Sequence, residues 1–362
     1  MKPGRKKYND DVKEDEDRLS DLPDCVILHI LSFLDTIDAV QTCILSKRWN
    51  NLWKYLPTLI LSSSNKFVSR ILSLRNASTP LRALHFQRHG TMYPRLLQRM
   101  IKYAVSHHVQ ELSINLSSDI QHFPTCLFSC HTLTSLKLVI NHPTLYAGTL
   151  FPSSLNLPAL ATLFLESFTF PVDDDGHTEP FSAFSSLNSL IIRGCKVLDE
   201  QNLWILSATL ANLTLDTGWA YNYGKIELST PSLCTFVFVC IGGFPALKLH
   251  GIESNLSSVK HVKIDVSIAS RSIDVDISLV LLNWLVELAN IKSLTINHNA
   301  LEVLSKVPDL LKVEFHSLCS LKSLRVKTRT PSCIPNGTFD FLLQNSPSTK
   351  VEIIDPFRAI ST

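Results

Sequence analysis

Beyond Pro57 the chain returns repeatedly to one spacing, apolar-x-x-apolar-x-apolar. The copies are Leu81-Leu84-Phe86, Val109-Leu112-Ile114, Leu133-Leu136-Leu138, Leu160-Leu163-Leu165, Leu187-Leu190-Ile192, Leu210-Leu213-Leu215, Leu233-Phe236-Phe238, Val259-Val262-Ile264, Ile291-Leu294-Ile296 and Leu321-Leu324-Val326. Their middle positions stand 23 to 32 residues apart. The last two apolar positions alternate with one intervening residue, as a short strand with a single buried face requires. One such unit of strand and returning segment buries its apolar side only by stacking on the next. The pattern therefore predicts an α/β solenoid with parallel strands on one face.

Before Pro57 the period is helical. Ile27, Ile30, Leu31 and Leu34 recur on one face, and Val26 and Phe33 widen that stripe. Pro23 suits the first turn of this helix, where a missing N–H costs nothing. A second short apolar run follows Thr36. In a third segment Trp49, Leu52, Trp53 and Leu56 share a face, Ser46 is the expected N-cap, and Pro57 ends it. About 40 residues rarely bury enough surface to stand alone, so the segment needs a partner.

The repeat step is that of the leucine-rich repeat. Asn141, Cys195 and Asn299 stand at its ladder position, where an asparagine is expected to hydrogen-bond buried backbone at the turn. The other copies lack that residue, which predicts irregular turns. The N-terminal segment resembles a plant F-box. It carries Asp17-Arg18-Leu19-Ser20, Leu22-Pro23-Asp24, Ile30-Leu31-Ser32-Phe33-Leu34, Ala39-Val40, Thr42, Leu45-Ser46-Lys47-Arg48-Trp49 and Leu52-Trp53 in the family's order. Ile37 and Asn50 depart from it, where lysine and a basic residue are usual. Phe67 to Asn76 resembles the linker helix that follows such F-boxes, and Phe123 to Leu133 resembles a typical repeat of the plant F-box/leucine-rich-repeat family. Phe339 to Glu352 lacks most of the pattern of the FBD module that many relatives add. The expected division is a disordered polar tail at 1–16, F-box at 17–57, linker helix and cap at 58–80, repeats at 81–330 and a C-terminal cap at 331–362.

The resemblance implies the substrate receptor of an SCF-type ubiquitin ligase. Its F-box docks on a Skp-type adaptor and, through it, on the cullin and RING subunit. Its repeats hold a target protein. By family position Leu22, Pro23, Ile27, Leu28, Ile30, Leu31, Val40, Trp49 and Trp53 form the F-box core and adaptor surface, with Leu22 and Pro23 the expected partner contacts. Candidates for the target face are the residues between each apolar pair: Ser113, Lys137, Phe164, Ile191, Thr214, Val237, Lys263, Thr295 and Arg325. The alternative is a regulator that binds the adaptor outside a cullin ligase.

Composition narrows the rest. The chain of 362 residues is 45% hydrophobic and 18% charged, with a formal net charge of +2, which supplies no basic field for nucleic acid. Nine scattered cysteines, none in a C-x-x-C pair, suit buried thiols in a reducing compartment. The polar start is not a signal peptide, and Lys2, Arg5, Lys6 and Lys7 raise the option of nuclear import, so nucleus, cytoplasm or both are expected. No apolar run reaches a membrane span; Leu233 to Leu249 is broken by Gly242, Gly243 and Pro245 and reads as a buried strand followed by a turn. No catalytic set, cofactor or metal site is expected. Asp173-Asp174-Asp175-Gly176 has Ser182 where a calcium loop needs glutamate. His107-His108 lacks metalloprotease spacing and reads as a solvated turn, and Cys195 reads as a buried structural thiol.

Overall fold

The computed structural model describes residues 22–355 apart from 91, 118–119, 121–122, 142–147, 153–155, 174–175, 219–222, 242–245, 250–257, 268–274, 289, 308–309, 311–317 and 329–333. The polar tail with its basic residues, Asp17 to Ser20, and the turn at Gly242–Pro245 lie outside the described residues.

All ten apolar triplets form strands of one parallel sheet, and the sheet has twelve. They are β1 (Thr58–Leu61), β2 (Ala83–His89), β3 (Glu111–Ser117), β4 (Ser135–Ile140), β5 (Thr162–Glu166), β6 (Ser189–Arg193), β7 (Asn212–Asp216), β8 (Thr235–Ile241), β9 (His261–Ser267), β10 (Ser293–Asn297), β11 (Ser323–Lys327) and β12 (Lys350–Ile354). Each pairs with the next in chain order. β1 carries an eleventh triplet, Leu56-Leu59-Leu61, with Leu59 in register with Leu84. β12 closes the other end, Val351 opposite Leu324.

The same register stacks the leucines of successive strands into buried rows: Leu84, Leu112, Leu136, Leu163, Leu190 and Leu213 are all 2% exposed or less. Each such side chain contributes about 1.5–3 kcal/mol on leaving water. The returning segments vary, as the missing ladder residues predict. They are helices at both ends, α3 (Asn65–Leu74), α4 (Pro94–Ser106), α5 (Val275–Glu287) and α6 (His298–Leu304), while short strands in two small parallel sheets line the middle. Phe151 packs edge-on against Phe128, Phe168 and Phe170 there, and Trp284 of α5 meets Phe236 and Phe238 of β8.

The ladder residues behave differently from one another. Cys195 is fully buried and its sulfur accepts the Phe168 N–H at 3.4 Å. Asn299 donates to the Val266 carbonyl at 2.9 Å, as expected. Asn141 does not reach buried backbone: it is exposed and bonds Asn115 at 3.3 Å.

Candidate functional site

The N-terminal module begins with α1 (Asp24–Leu31) and α2 (Thr36–Gln41), followed by 3-10 turns at Thr42–Ile44 and Trp49–Tyr55. Pro23 sits one position before α1, not inside its first turn, and its carbonyl accepts the N–H groups of Val26 and Ile27. Asp35 caps α2 by accepting the Ile37 N–H at 3.0 Å. Ser46 does not cap with its side chain. In a 3-10 turn its carbonyl already takes the Trp49 N–H at 3.2 Å, and its buried hydroxyl has no hydrogen-bond partner.

This module is fixed to the repeats. Thr36, fully buried, accepts the Ile60 N–H of β1 at 2.9 Å, and the Ser62 hydroxyl donates to Asp35. That covers part of an edge strand that would otherwise present open backbone. Arg75, 4% exposed at the end of α3, donates to the carbonyls of Leu56, Thr79 and Pro80 and to the Tyr103 hydroxyl. It joins the last turn of the module to the first returning segments.

The nine predicted residues separate into two groups. Ile27, Leu31, Trp49 and Trp53 are buried against the rest of the chain. Leu22, Leu28 and Val40 are half-buried, and Pro23 and Ile30 are exposed. Arg48 holds the entry to α1 in place, through two bonds to Asp24 at 3.0 and 2.7 Å and one to the Leu22 carbonyl. The largest apolar exposure lies elsewhere: Ile44 is 88% exposed, Phe33 73% and Leu45 64%, with Val26 and Ile30 at 38% each. Ile30 is one of the nine predicted residues; the other four have the identities of core residues, and the sequence pattern alone did not single them out as surface. Ile44, Phe33 and Leu45 are the large apolar side chains of this module most open to solvent among the described residues.

The second candidate surface is the solvent face of the sheet. The residues between the apolar pairs fall into one register line: Ser113, Lys137, Phe164, Ile191, Thr214, Val237, Lys263, Thr295 and Arg325 are each paired with the next. Lys137 and Arg325 are exposed and the others half-buried. Phe164 lies under two cations, Lys137 Nζ at 4.8 Å and the Arg193 guanidinium at 5.4 Å from its ring centroid. Arg193 in turn bonds Asp216 at 3.1 Å and lies 3.6 Å from Glu166.

The remaining chemical candidates are structural. Asp173 turns its carboxylate onto His177, accepting the backbone N–H at 3.0 Å and lying 3.2 Å from the ring; Asp174 and Asp175 lie outside the described residues. His107 and His108 do form a turn and His108 is exposed, but the half-buried His107 ring is not solvated: it stacks on Tyr103 at 3.9 Å and its Nδ1 lies 2.8 Å from the Tyr103 carbonyl. Burial pushes the Cys195 thiol up to about 12, which leaves it un-ionised at neutral pH. Among the described residues no cluster of His, Cys, Asp and Glu could hold a metal, and no helix is long and apolar enough to cross a membrane.

Residues 19–61 match the F-box domain family. An F-box/LRR-repeat protein of Arabidopsis thaliana is 33% identical over 70% of this chain and 83% of its own length. A second Arabidopsis protein, a putative F-box/LRR-repeat protein, is 28% identical over 96% of this chain and 74% of its own length. An FBD-associated F-box protein of the same plant is 31% identical over 60% and 54%. The relative that is 33% identical and matched over 83% of its own length, with the F-box at residues 19–61, shows that the chain belongs to the F-box/LRR-repeat family.

Proposed function

We propose that the chain is the substrate-recognition subunit of an SCF-type ubiquitin ligase, without chemistry of its own. F-box domains generally bind Skp-type adaptors. The observation that carries the reading is the exposure of Phe33, Ile44 and Leu45 on an F-box whose other face is packed into the repeats. Covering three such side chains supplies about 1.5–3 kcal/mol each. The adaptor holds the cullin and its RING subunit. The sheet face, along Lys137, Phe164, Ile191, Thr214, Val237, Lys263 and Arg325, holds the target. Ubiquitin transfer is then accelerated by raised effective concentration. In this proposal the complex works in the nucleus, the cytoplasm or both.

The test is a pull-down of the full chain with a plant Skp-type adaptor and cullin. Wild type is expected to capture both. Phe33→Asp/Ile44→Asp is expected to lose both with unchanged circular dichroism, and Leu22→Ala/Pro23→Ala to weaken capture. Adaptor without cullin identifies a regulator outside the ligase. A folded wild type that captures neither rules the reading out.

A further inference from the structure

Charge on the sheet face is not evenly spread. At the centre Arg193 is matched by Asp216 and Glu166. Towards the C-terminal end the balance changes. Lys263 of β9 and Lys327 of β11 converge on one carboxylate, Asp265, at 3.9 and 3.6 Å. Asp265 is itself held by Asn297 Nδ2 at 2.7 Å. Among the described residues no other carboxylate pairs with either lysine. Partial burial and the facing Lys327 both hold the Lys263 ammonium below its ordinary range, so the two cations stand against each other with one anion between them. Such a pair is short of one negative charge.

A second feature lies at the strand entries of the same repeats. Lys260, Lys292, Lys322 and Lys350 are all exposed and follow one another through backbone bonds, each N–H to the preceding carbonyl at 2.8, 2.8 and 3.0 Å. Neighbouring strands are ~4.8 Å apart, so this is a stepped edge of four ammonium groups. None of the four makes an ion pair among the described residues. Arg325 is already matched by Glu352 at 3.1 Å.

We propose that the face of β9 to β12 binds an acidic segment of a partner protein, one carboxylate bridging Lys263 and Lys327 while others follow the lysine edge. This deepens the reading of the repeats as the target-holding surface and rests on it. A peptide fits better than a nucleic acid. The chain's net charge is only +2, and Asp265 and Glu352 stand on the same face. A polyphosphate, with a charge at every step, meets both of them, whereas a peptide places its carboxylates selectively.

The experiment is fluorescence anisotropy of the full chain with a labelled hexaglutamate peptide, with a single-stranded oligonucleotide and hexalysine run beside it. Hexaglutamate is expected to bind and hexalysine not. Lys263→Gln/Lys327→Gln should weaken binding about tenfold, and Lys292→Gln/Lys322→Gln should weaken it and flatten its salt dependence. The edge lysines are exposed, so the second pair tests the idea even if the first perturbs folding. Lys102→Gln, an exposed cation on α4 at the other end of the sheet, should bind as wild type. Absence of hexaglutamate binding overturns the proposal, as does binding that survives both pairs, and tighter, lysine-dependent binding of the oligonucleotide replaces it with a nucleic-acid site. Phe33→Asp/Ile44→Asp should still bind the peptide, so failure here and failure of adaptor docking are separate results.

Discussion

Phe33 and Trp49 are both large apolar residues of the F-box, and the fold places them oppositely. Trp49 is 6% exposed and Phe33 73%. Trp49→Ala should therefore cost about 3–5 kcal/mol in urea unfolding, while Phe33→Asp should shift stability by less than about 0.5 kcal/mol and act on adaptor capture. Equal loss of stability from both would show that Phe33 is core. This split was not legible in the sequence, because a helical apolar stripe does not say how much of its width the fold covers. The expectation of buried thiols holds for Cys195 but not for the cysteines as a group, since Cys25 and Cys319 are exposed and Cys43, Cys126 and Cys234 half-buried. Cys195 and Cys240 are both pushed up to about 12 by burial. Their folded values exceed the ordinary value, so the stability they carry is complete below pH ~9 and declines above it, by about 1.4 kcal/mol per pH unit for each thiol. Urea midpoints between pH 8 and 11 measure this, and Cys195→Ala/Cys240→Ala should flatten the decline. At pH 8 a maleimide should label exposed Cys25 in the native chain and reach Cys195 only after unfolding.

At the scale of elements, alternation in ten triplets was enough to place ten strands, because a strand with one buried face leaves a strict record in the sequence. The two end strands escaped for different reasons. Leu56-Leu59-Leu61 fits the spacing, but Leu56 also completes the tryptophan face of the F-box, and both readings use it. Val351 and Ile353 of β12 are 40% and 46% exposed, with no leucine to mark them. The ladder shows a similar displacement. Asn299 was the visible match, yet Asn297 does more. Its carbonyl oxygen accepts the N–H groups of Val266 at 3.2 Å and Ala300 at 3.0 Å, and its amide donates to the Val266 carbonyl at 2.6 Å and to Asp265. It ties β9 to the start of α6. Asn297→Ala removes the acceptor of the Val266 and Ala300 N–H groups in a buried place and should cost about 2–3 kcal/mol. Asn299→Ala, which removes one bond, should cost about 1 kcal/mol. Equal effects in urea titrations would mean that the α6 cap carries little of the junction.

Among the described residues the main sheet is a row of twelve strands, each paired within that sheet with its neighbours in chain order. Stability in such a row is close to a sum of unit and neighbour contributions, so damage at one end need not reach the other. The F-box is bound to the first unit through Thr36, Asp35 and Arg75, and the lysine-rich face occupies the last four strands. Leu324 of β11 is fully buried, so Leu324→Ala should remove about 2–5 kcal/mol from the C-terminal units. Amide exchange should then rise first in β10 to β12, with β1 to β4 protected as before. Adaptor capture should persist, while hexaglutamate binding is lost. Arg75→Met should do the reverse, loosening the F-box and its junction while leaving the last strands protected. If either variant instead raises exchange uniformly along all twelve strands, the sheet folds as one cooperative unit. The two binding surfaces are then coupled through stability, and a target held at one end would tighten the adaptor contact at the other.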